Sequence, residues 1–366
     1  MRVFTCQACG QLLYFENIRC EKCGRSLGYL PDKETISAIE PAGDGTFRAL
    51  AARSRYRYCK NKDFGVCNWM VRITAREPFC AACQHNRTVP DLSIPENSAR
   101  WAKIEAAKHR LFYSLLRLRL AVKNRSNDPE HGLAFDFLAD PPMTHGQGVL
   151  TGHDNGLISL AVKEADDPER ERVRSAMGEP YRTLLGHFRH EIGHYFWDVL
   201  VRDAGRTAAF RAVFGDESQD YAAALQAHYR NGAPPDWQQN FVSSYASAHP
   251  WEDFAETWAH YLHIVDTLET AGVFGVRVHL KPGWRTRLTA TVDFDPYSAL
   301  SIDTIIDAWL PLTFAMNNLN RSMGQTDLYP FILTPRAIGK LGFIHRLVRA
   351  APIAVRVADA GLPPAT

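Results

Sequence analysis

Cysteine placement constrains this chain more than any other feature. All eight cysteines, Cys6, Cys9, Cys20, Cys23, Cys59, Cys67, Cys80 and Cys83, fall in the first 83 of 366 residues, and none follows. This predicts a small cysteine-held module in front of a body that relies on burial, with a boundary just past Cys83. The first four read C-x2-C-x10-C-x2-C. Gly10 and Gly24 follow the second cysteine of each pair, where a backbone free to take positive φ can wrap a metal. That is the spacing of a zinc ribbon: four thiolates on tetrahedral zinc supply folding free energy that about 30 residues with few apolar side chains lack. The second four, C-x7-C-x12-C-x2-C, are less regular but predict a second four-thiolate zinc site. Reduced structural thiols are the alternative there, and His85 could replace one thiolate.

Between the two groups, Arg48, Arg53, Arg55, Arg57, Lys60 and Lys62 interleave with Tyr56 and Tyr58 without an acid. Residues 1–90 carry 14 basic and 8 acidic side chains. Two four-thiolate zinc sites would add negative charge, so the run is read as a solvated, charge-offsetting face rather than a nucleic-acid interface. The whole chain is nearly balanced, at +2 from 42 basic and 40 acidic residues, which selects no charged partner. The N-terminus lacks an apolar signal-peptide run, and the most apolar stretch, residues 308–316, is broken by Pro311 and Thr313. A cytoplasmic, soluble protein with reduced thiols and no membrane partner is expected.

After a linker around Pro90 and Pro95, Trp101, Ile104, Leu111, Leu115 and Leu118 keep helical spacing to about residue 122, a core stripe. Loop residues near Asn127, Asp128, Pro129, Pro141 and Pro142 are interrupted by alternating Leu133, Phe135 and Phe137, a short strand. Residues 149–151 and 157–162 predict a hairpin around GHDNG, making His153 and Asp154 turn residues rather than ligands. A helix opening at Glu179-Pro180 runs to about 203, and further helical patterns occupy about 206–213, 217–231, 250–270, 298–322 and 335–350. Residues 280–298 are read as a connecting arm. The fold class is thus α+β. A zinc-ribbon module at 1–90 precedes a mainly helical body with a small sheet at 97–366, whose informative helices span about 180–203 and 250–270.

The first of those helices carries His190-Glu191-Ile192-Gly193-His194. Four residues apart on a helix, the two imidazoles share a face and can share one ion, with Glu191 beside them as a general base rather than a ligand. Two core histidines on an amphipathic helix is the competing reading. Catalytic zinc needs a third protein ligand and an open position. The metzincin continuation fails, because Trp197 and Leu200 stand at its Gly and His positions. Downstream, the helix starting at Pro250 presents Glu252 and Glu256 four residues apart. One can bind zinc while the other accepts the second N–H of a ligand histidine, and spacing alone does not say which.

Glu-Asp-Phe-Ala-Glu after His-Glu-Ile-Gly-His resembles the gluzincin metallopeptidases, including the anthrax lethal factor type. The resemblance implies a zincin-like domain with Glu252 as the zinc ligand and Glu256 as the residue that orients a histidine. It also implies that Tyr245, seven residues before Glu252, stands next to the metal. Through CQACG, CNW, FDFLAD, VLTGH, FRHEIGHY, HPWEDFAETWAHYLHIVDTLETA and NRSMG, nearly the whole chain also resembles a bacterial family of zinc-binding metallopeptidases with N-terminal zinc ribbons.

The implied reaction is hydrolysis of a peptide or protein substrate with one catalytic and two structural zinc ions. Zinc on His190, His194 and Glu252 would activate water, Glu191 would move its proton, and Tyr245 would stabilise the oxyanion. His260 and His263 are disfavoured as ligands. His187 is read as packing or supporting the ligands, His249 as a helix cap or loop residue, and Asp198 as a solvated helix residue. The strand near 157–162 could offer a sheet edge to an extended peptide. A zinc-ribbon protein that binds nucleic acid or protein around a silent metal is the competing class, and Glu191 argues against it because a structural site needs no base.

Overall fold

The computed structural model describes residues 1–139, 151–177, 179–281 and 288–351. Pro141, Pro142 and residues 149–150 of the expected hairpin lie outside them. The described chain forms two compact units, Met1–Val173 and Arg174–Ala351.

In the first unit, β1 (Phe4–Thr5) pairs antiparallel with β2 (Leu12–Leu13) around the Cys6–Cys9 turn. Gly10 and Gly24 have φ of +71° and +72°, the left-handed conformation that lets each turn close on its cysteines. Five antiparallel strands follow in the order β3 (Leu27–Leu30), β4 (Thr35–Pro41), β5 (Phe47–Ala49), β6 (Arg55–Tyr58) and β7 (Met70–Arg72). Their core is Leu30, Ile39, Ala49, Tyr56 and Met70. The aromatic members of the basic run are tied down here: Tyr56 donates its hydroxyl to Asp32 at 3.0 Å and Tyr58 to the Leu27 carbonyl at 2.9 Å.

A second sheet has the order β10 (Gly152–Asp154), β11 (Leu157–Ala161), β9 (Ala134–Leu138) and β8 (Asn86–Thr88), with β8 and β11 parallel to β9 and β10 antiparallel to β11. Two expectations are corrected. The turn is Asn155-Gly156, both with positive φ (45° and 81°), as a two-residue hairpin requires, so His153 and Asp154 are strand residues. Residues 157–161 form an interior strand, and the edge beside them is β10.

Helix α1 (Pro95–Arg117) buries the expected Trp101, Ile104, Leu111 and Leu115. It packs on the cysteine-rich residues through Tyr113 against Phe15 and His109 against Trp69, with ring centroids 5.5 and 5.0 Å apart. Residues 1–90 therefore fold within a unit that continues to residue 173. The chain passes to the second unit within α2 (Asp167–Met177).

The second unit is helical: α3 (Leu184–Trp197), α4 (Thr207–Phe214), α5 (Tyr221–Asn231), α6 (Trp237–Asn240), α7 (Pro250–Val273), α8 (Ile302–Ser322) and α9 (Pro335–Ala350). Strand β13 (Thr289–Thr291), inside the expected connecting arm, pairs antiparallel with β12 (Arg277–His279) just before it, and residues 282–287 of that arm lie outside the described residues. Helix α3 does not open at Pro180. Thr183 caps it, its Oγ1 accepting the Gly186 N–H at 3.0 Å, because an oxygen acceptor is needed where the first amides have no partner. Helix α7 starts as expected, with Pro250 in its first turn and His249 Nδ1 accepting the Trp251 N–H at 3.1 Å. Among the described residues no helix is long and apolar enough to cross a membrane.

Helices α3 and α7 cross closely at Gly193. A Cβ there would stand 2.9 Å from the Ala255 Cα and 3.2 Å from its carbonyl oxygen. Phe196 stacks on Trp258 one turn along, with centroids 4.8 Å apart. Two buried ion pairs hold α7 on either side: Arg189 with Asp266 at 2.6 Å and Lys340 of α9 with Asp253, also at 2.6 Å. Because backbone rather than a flexible side chain meets the added methyl, Gly193→Ala is expected to destabilise the protein by about 1–3 kcal/mol. Denaturant unfolding checks this, and an unchanged midpoint would show that the crossing has slack.

Candidate metal centres

One helical turn separates His190 from His194, and their Nε2 atoms lie 3.2 Å apart. Helix α7 brings Glu252 Oε2 to 3.0 Å from His190 Nε2 and 3.6 Å from His194 Nε2. His190 Nδ1 meets Glu256 Oε1 at 2.7 Å, and the other Glu256 oxygen accepts from Ser243 Oγ at 2.6 Å. Donating Nδ1–H to Glu256 fixes the ring so that Nε2 of His190 points at Glu252.

Glu252 is anchored from the far side by Tyr221, which donates its hydroxyl to Oε1 at 2.6 Å. Its other oxygen, Oε2, is buried and among the described residues has no assigned hydrogen-bond partner. Imidazole nitrogens and a carboxylate oxygen thus converge on one point, an arrangement a cation satisfies. Ligand bonds of about 2.0–2.2 Å to tetrahedral zinc imply donor separations of about 3.3 Å. The three measured separations bracket that value, so these residues fit zinc. Burial pushes the Glu252 carboxyl up, but the facing His194 and His190 imidazoles outweigh it and hold it well below the usual carboxylate range.

Glu191 is buried and stands apart from this trio, with Oε1 3.4 Å from His187 Nε2. Tyr245 sets its ring 5.9 Å from that of His190, and among the described residues its hydroxyl has no hydrogen-bond partner. Burial and the charge of Glu252 push the Tyr245 phenol above its ordinary value, so it stays protonated at neutral pH. Trp251 covers His194, with centroids 3.8 Å apart. His260 and His263 face elsewhere, on the Tyr329 hydroxyl (2.7 Å) and the Arg189 guanidinium (2.6 Å). Asp198 is buried, not solvated, because it pairs with Arg202 at 2.6 Å.

The cysteines gather in two groups of free thiols. In the first, Cys6 and Cys23 sulfurs are 3.7 Å apart and those of Cys9 and Cys20 3.6 Å, near the edge of about 3.8 Å that zinc–sulfur bonds of about 2.3 Å impose. In the second, Cys59, Cys67, Cys80 and Cys83 are all buried, with Cys67 and Cys80 sulfurs 3.9 Å apart. Backbone amides of Trp69, Cys80 and Cys83 donate to the sulfurs of Cys67, Cys59 and Cys80. His85 is not among these donors. It donates Nδ1–H to the Leu133 carbonyl at 3.0 Å and packs on Phe112.

Residues 97–347 match the family profile described as "Putative zinc-binding metallo-peptidase", and residues 3–94 match a zinc-ribbon domain. The chain belongs to this metallopeptidase family. Uncharacterised proteins from two strains of Mycobacterium tuberculosis and from Mycobacterium bovis are 42% identical to it over 349 residues, 95% of this chain and 95% of each of theirs. No solved structure matches it significantly.

Several contacts at these metallopeptidase-family centres were not foreseen from spacing: Tyr221 and Ser243 behind the carboxylates, Trp251 over His194, and His109 beside the second cysteine group. The last had a signal, since Glu105, Lys108 and His109 interrupt the apolar face of α1. Behind the histidine–glutamate cluster, burial pushes His260 from 6.5 down to about 4, against the pull of Glu256. The unfolded chain takes up this proton near pH 6.5, whereas the folded chain refuses it until about pH 4. Stability is therefore full above pH 6.5 and declines as pH falls towards 4, by up to about 1.4 kcal/mol per pH unit. His260→Gln should flatten that part of the urea-midpoint profile, and identical acid slopes for the two proteins would rule the argument out.

Proposed function

We propose that the chain is a zinc-dependent metallopeptidase of gluzincin type, with a zincin-like catalytic domain close to the lethal-factor class. One observation carries this reading. The donor atoms of His190, His194 and Glu252 meet within 4.8 Å, while Glu191, on the same helix, stays outside the donor set. A site that only held structure would have no use for that extra carboxylate. His190, His194 and Glu252 hold the catalytic zinc, Glu256 fixes the tautomer of His190, and Tyr221 fixes the rotamer of Glu252. Cys6, Cys9, Cys20 and Cys23 hold one structural zinc and the Cys59, Cys67, Cys80 and Cys83 group another, giving three per chain.

Bound zinc supplies Lewis acidity, which polarises the scissile carbonyl and brings the pKa of water towards ~7. The Glu191 carboxylate takes the proton of the attacking water and hands it to the leaving amine nitrogen. The protonated Tyr245 hydroxyl donates a hydrogen bond to the carbonyl oxygen as negative charge develops there. The substrate is a peptide or protein. The zinc-ribbon residues offer a surface to a protein partner, and the inward-tied Tyr56 and Tyr58 speak against nucleic acid. Eight free thiols suit a reducing cytoplasm.

Glu191→Gln should keep its full metal content yet lose cleavage of a quenched peptide library by about 100-fold or more; undiminished cleavage would remove Glu191 from its role. By elemental analysis, wild type should carry three zinc ions, one of them readily stripped by chelator. Glu252→Gln should lose that ion outright, whereas Glu256→Gln should keep it with about 10–100-fold weaker affinity. The opposite order would exchange the two carboxylates.

A further inference from the structure

The second cysteine site has more donors than a tetrahedral metal requires. From α1, His109 sends Nε2 to 3.4 Å from Cys67 Sγ, 3.6 Å from Cys83 Sγ and 3.8 Å from Cys80 Sγ. With Cys59, the fourth sulfur of the group, it makes no hydrogen bond among the described residues. Its other ring nitrogen is committed: Nδ1 lies 2.6 Å from the Glu105 backbone carbonyl and donates to it, which directs Nε2 at the sulfurs, where it can ligate a metal once it carries no proton. A backbone carbonyl on the far nitrogen is how metal-bound histidines are ordinarily oriented.

The distances discriminate further. Bonds of about 2.3 Å to sulfur and about 2.1 Å to nitrogen around one tetrahedral centre separate the two kinds of donor by about 3.6 Å. The three measured separations are centred on that value. Cys59 lies within 4.8 Å of the other three sulfurs and His109 contacts the same three, so each can cap the face formed by Cys67, Cys80 and Cys83.

We infer that His109 is a metal donor of this site: Cys67, Cys80 and Cys83 hold the metal together with either Cys59 or His109. Losing one cap leaves the metal bound, and losing both releases it. The metal then ties the zinc-ribbon segment to α1, which lies in the part of the chain matched by the peptidase profile. This inference rests on the reading above that the second cysteine group binds metal, and is independent of peptidase activity.

Cadmium NMR on the full-length, cadmium-loaded protein tests it, because each site gives its own resonance. In wild type the second-site signal should be present. Cys59→Ala and the milder Cys59→Ser should retain it, shifted upfield as nitrogen replaces sulfur. His109→Gln should retain it at a four-sulfur position, and the double variant Cys59→Ala/His109→Gln should lose it. The resonance from Cys6, Cys9, Cys20 and Cys23 reports that each variant is folded. Loss of the second-site signal from both folded Cys59 variants, or from His109→Gln alone, would overturn the inference. Absence of the signal from wild type would overturn the underlying reading that this group binds metal, and the inference with it.

Discussion

The close approach of α3 and α7 governs the histidine–glutamate centre. Its donors come from two helices far apart in sequence, and a glutamate oxygen reaches only three bonds beyond Cβ. Glu252 can meet His190 and His194 only if the backbones run nearly in contact, and the missing side chain of Gly193 against Ala255 permits that. The aromatic stack of Phe196 on Trp258 then fixes the rotation of one helix on the other. Three donor atoms must be aimed at one point before a cation arrives, so the scaffold must hold them there beforehand. Buried packing does this better than a loop could.

A second layer of polar contacts turns proximity into aim. Glu252 has two oxygens, and Tyr221 occupies one of them, so the other is left for the histidines. Glu256 does the same for His190 by claiming Nδ1, and Ser243 steadies Glu256 in turn. Lys340 neutralises Asp253, next in sequence to Glu252, and also donates to the Asn240 carbonyl at 2.7 Å, which anchors the first turn of α7 to the preceding segment. Burial pushes Asp253 up to about 7 even so, which shows how costly charge is at that depth.

What could be read from the sequence was whatever obeys a period or a fixed spacing. The stripe of Trp101, Ile104, Leu111 and Leu115 marked α1, Pro250 and the paired glutamates marked α7, and the Cys-x2-Cys-Gly turns marked the first cysteine group, because each depends on geometry within a few residues. Contacts between distant elements carry no such signature. Tyr221 reaches Glu252 from another helix, and His109 reaches the second cysteine group from beyond the cysteine-rich segment. The local errors have local causes. Asn155-Gly156 can hold two positive-φ residues and so set the hairpin turn two positions later than the glycine-flanked GHDNG suggested. Thr183 offered a better cap than the Glu179-Pro180 start.

Glu191 shows why neighbouring positions on one helix can have separate chemistry. Successive residues project about 100° apart, so a side chain one step after His190 cannot share the line that His190 and His194 present to Glu252. It remains close to that line without joining it, and His187, one turn earlier, stands beside its carboxylate. Burial pushes the Glu191 carboxyl up, but His187, His190 and His194 together hold it below the ordinary range, so it is ionised and able to accept a proton. Were it drawn among the donors of His190, His194 and Glu252, its carboxylate would no longer be free for another partner. The helix geometry keeps those two uses of a carboxylate apart.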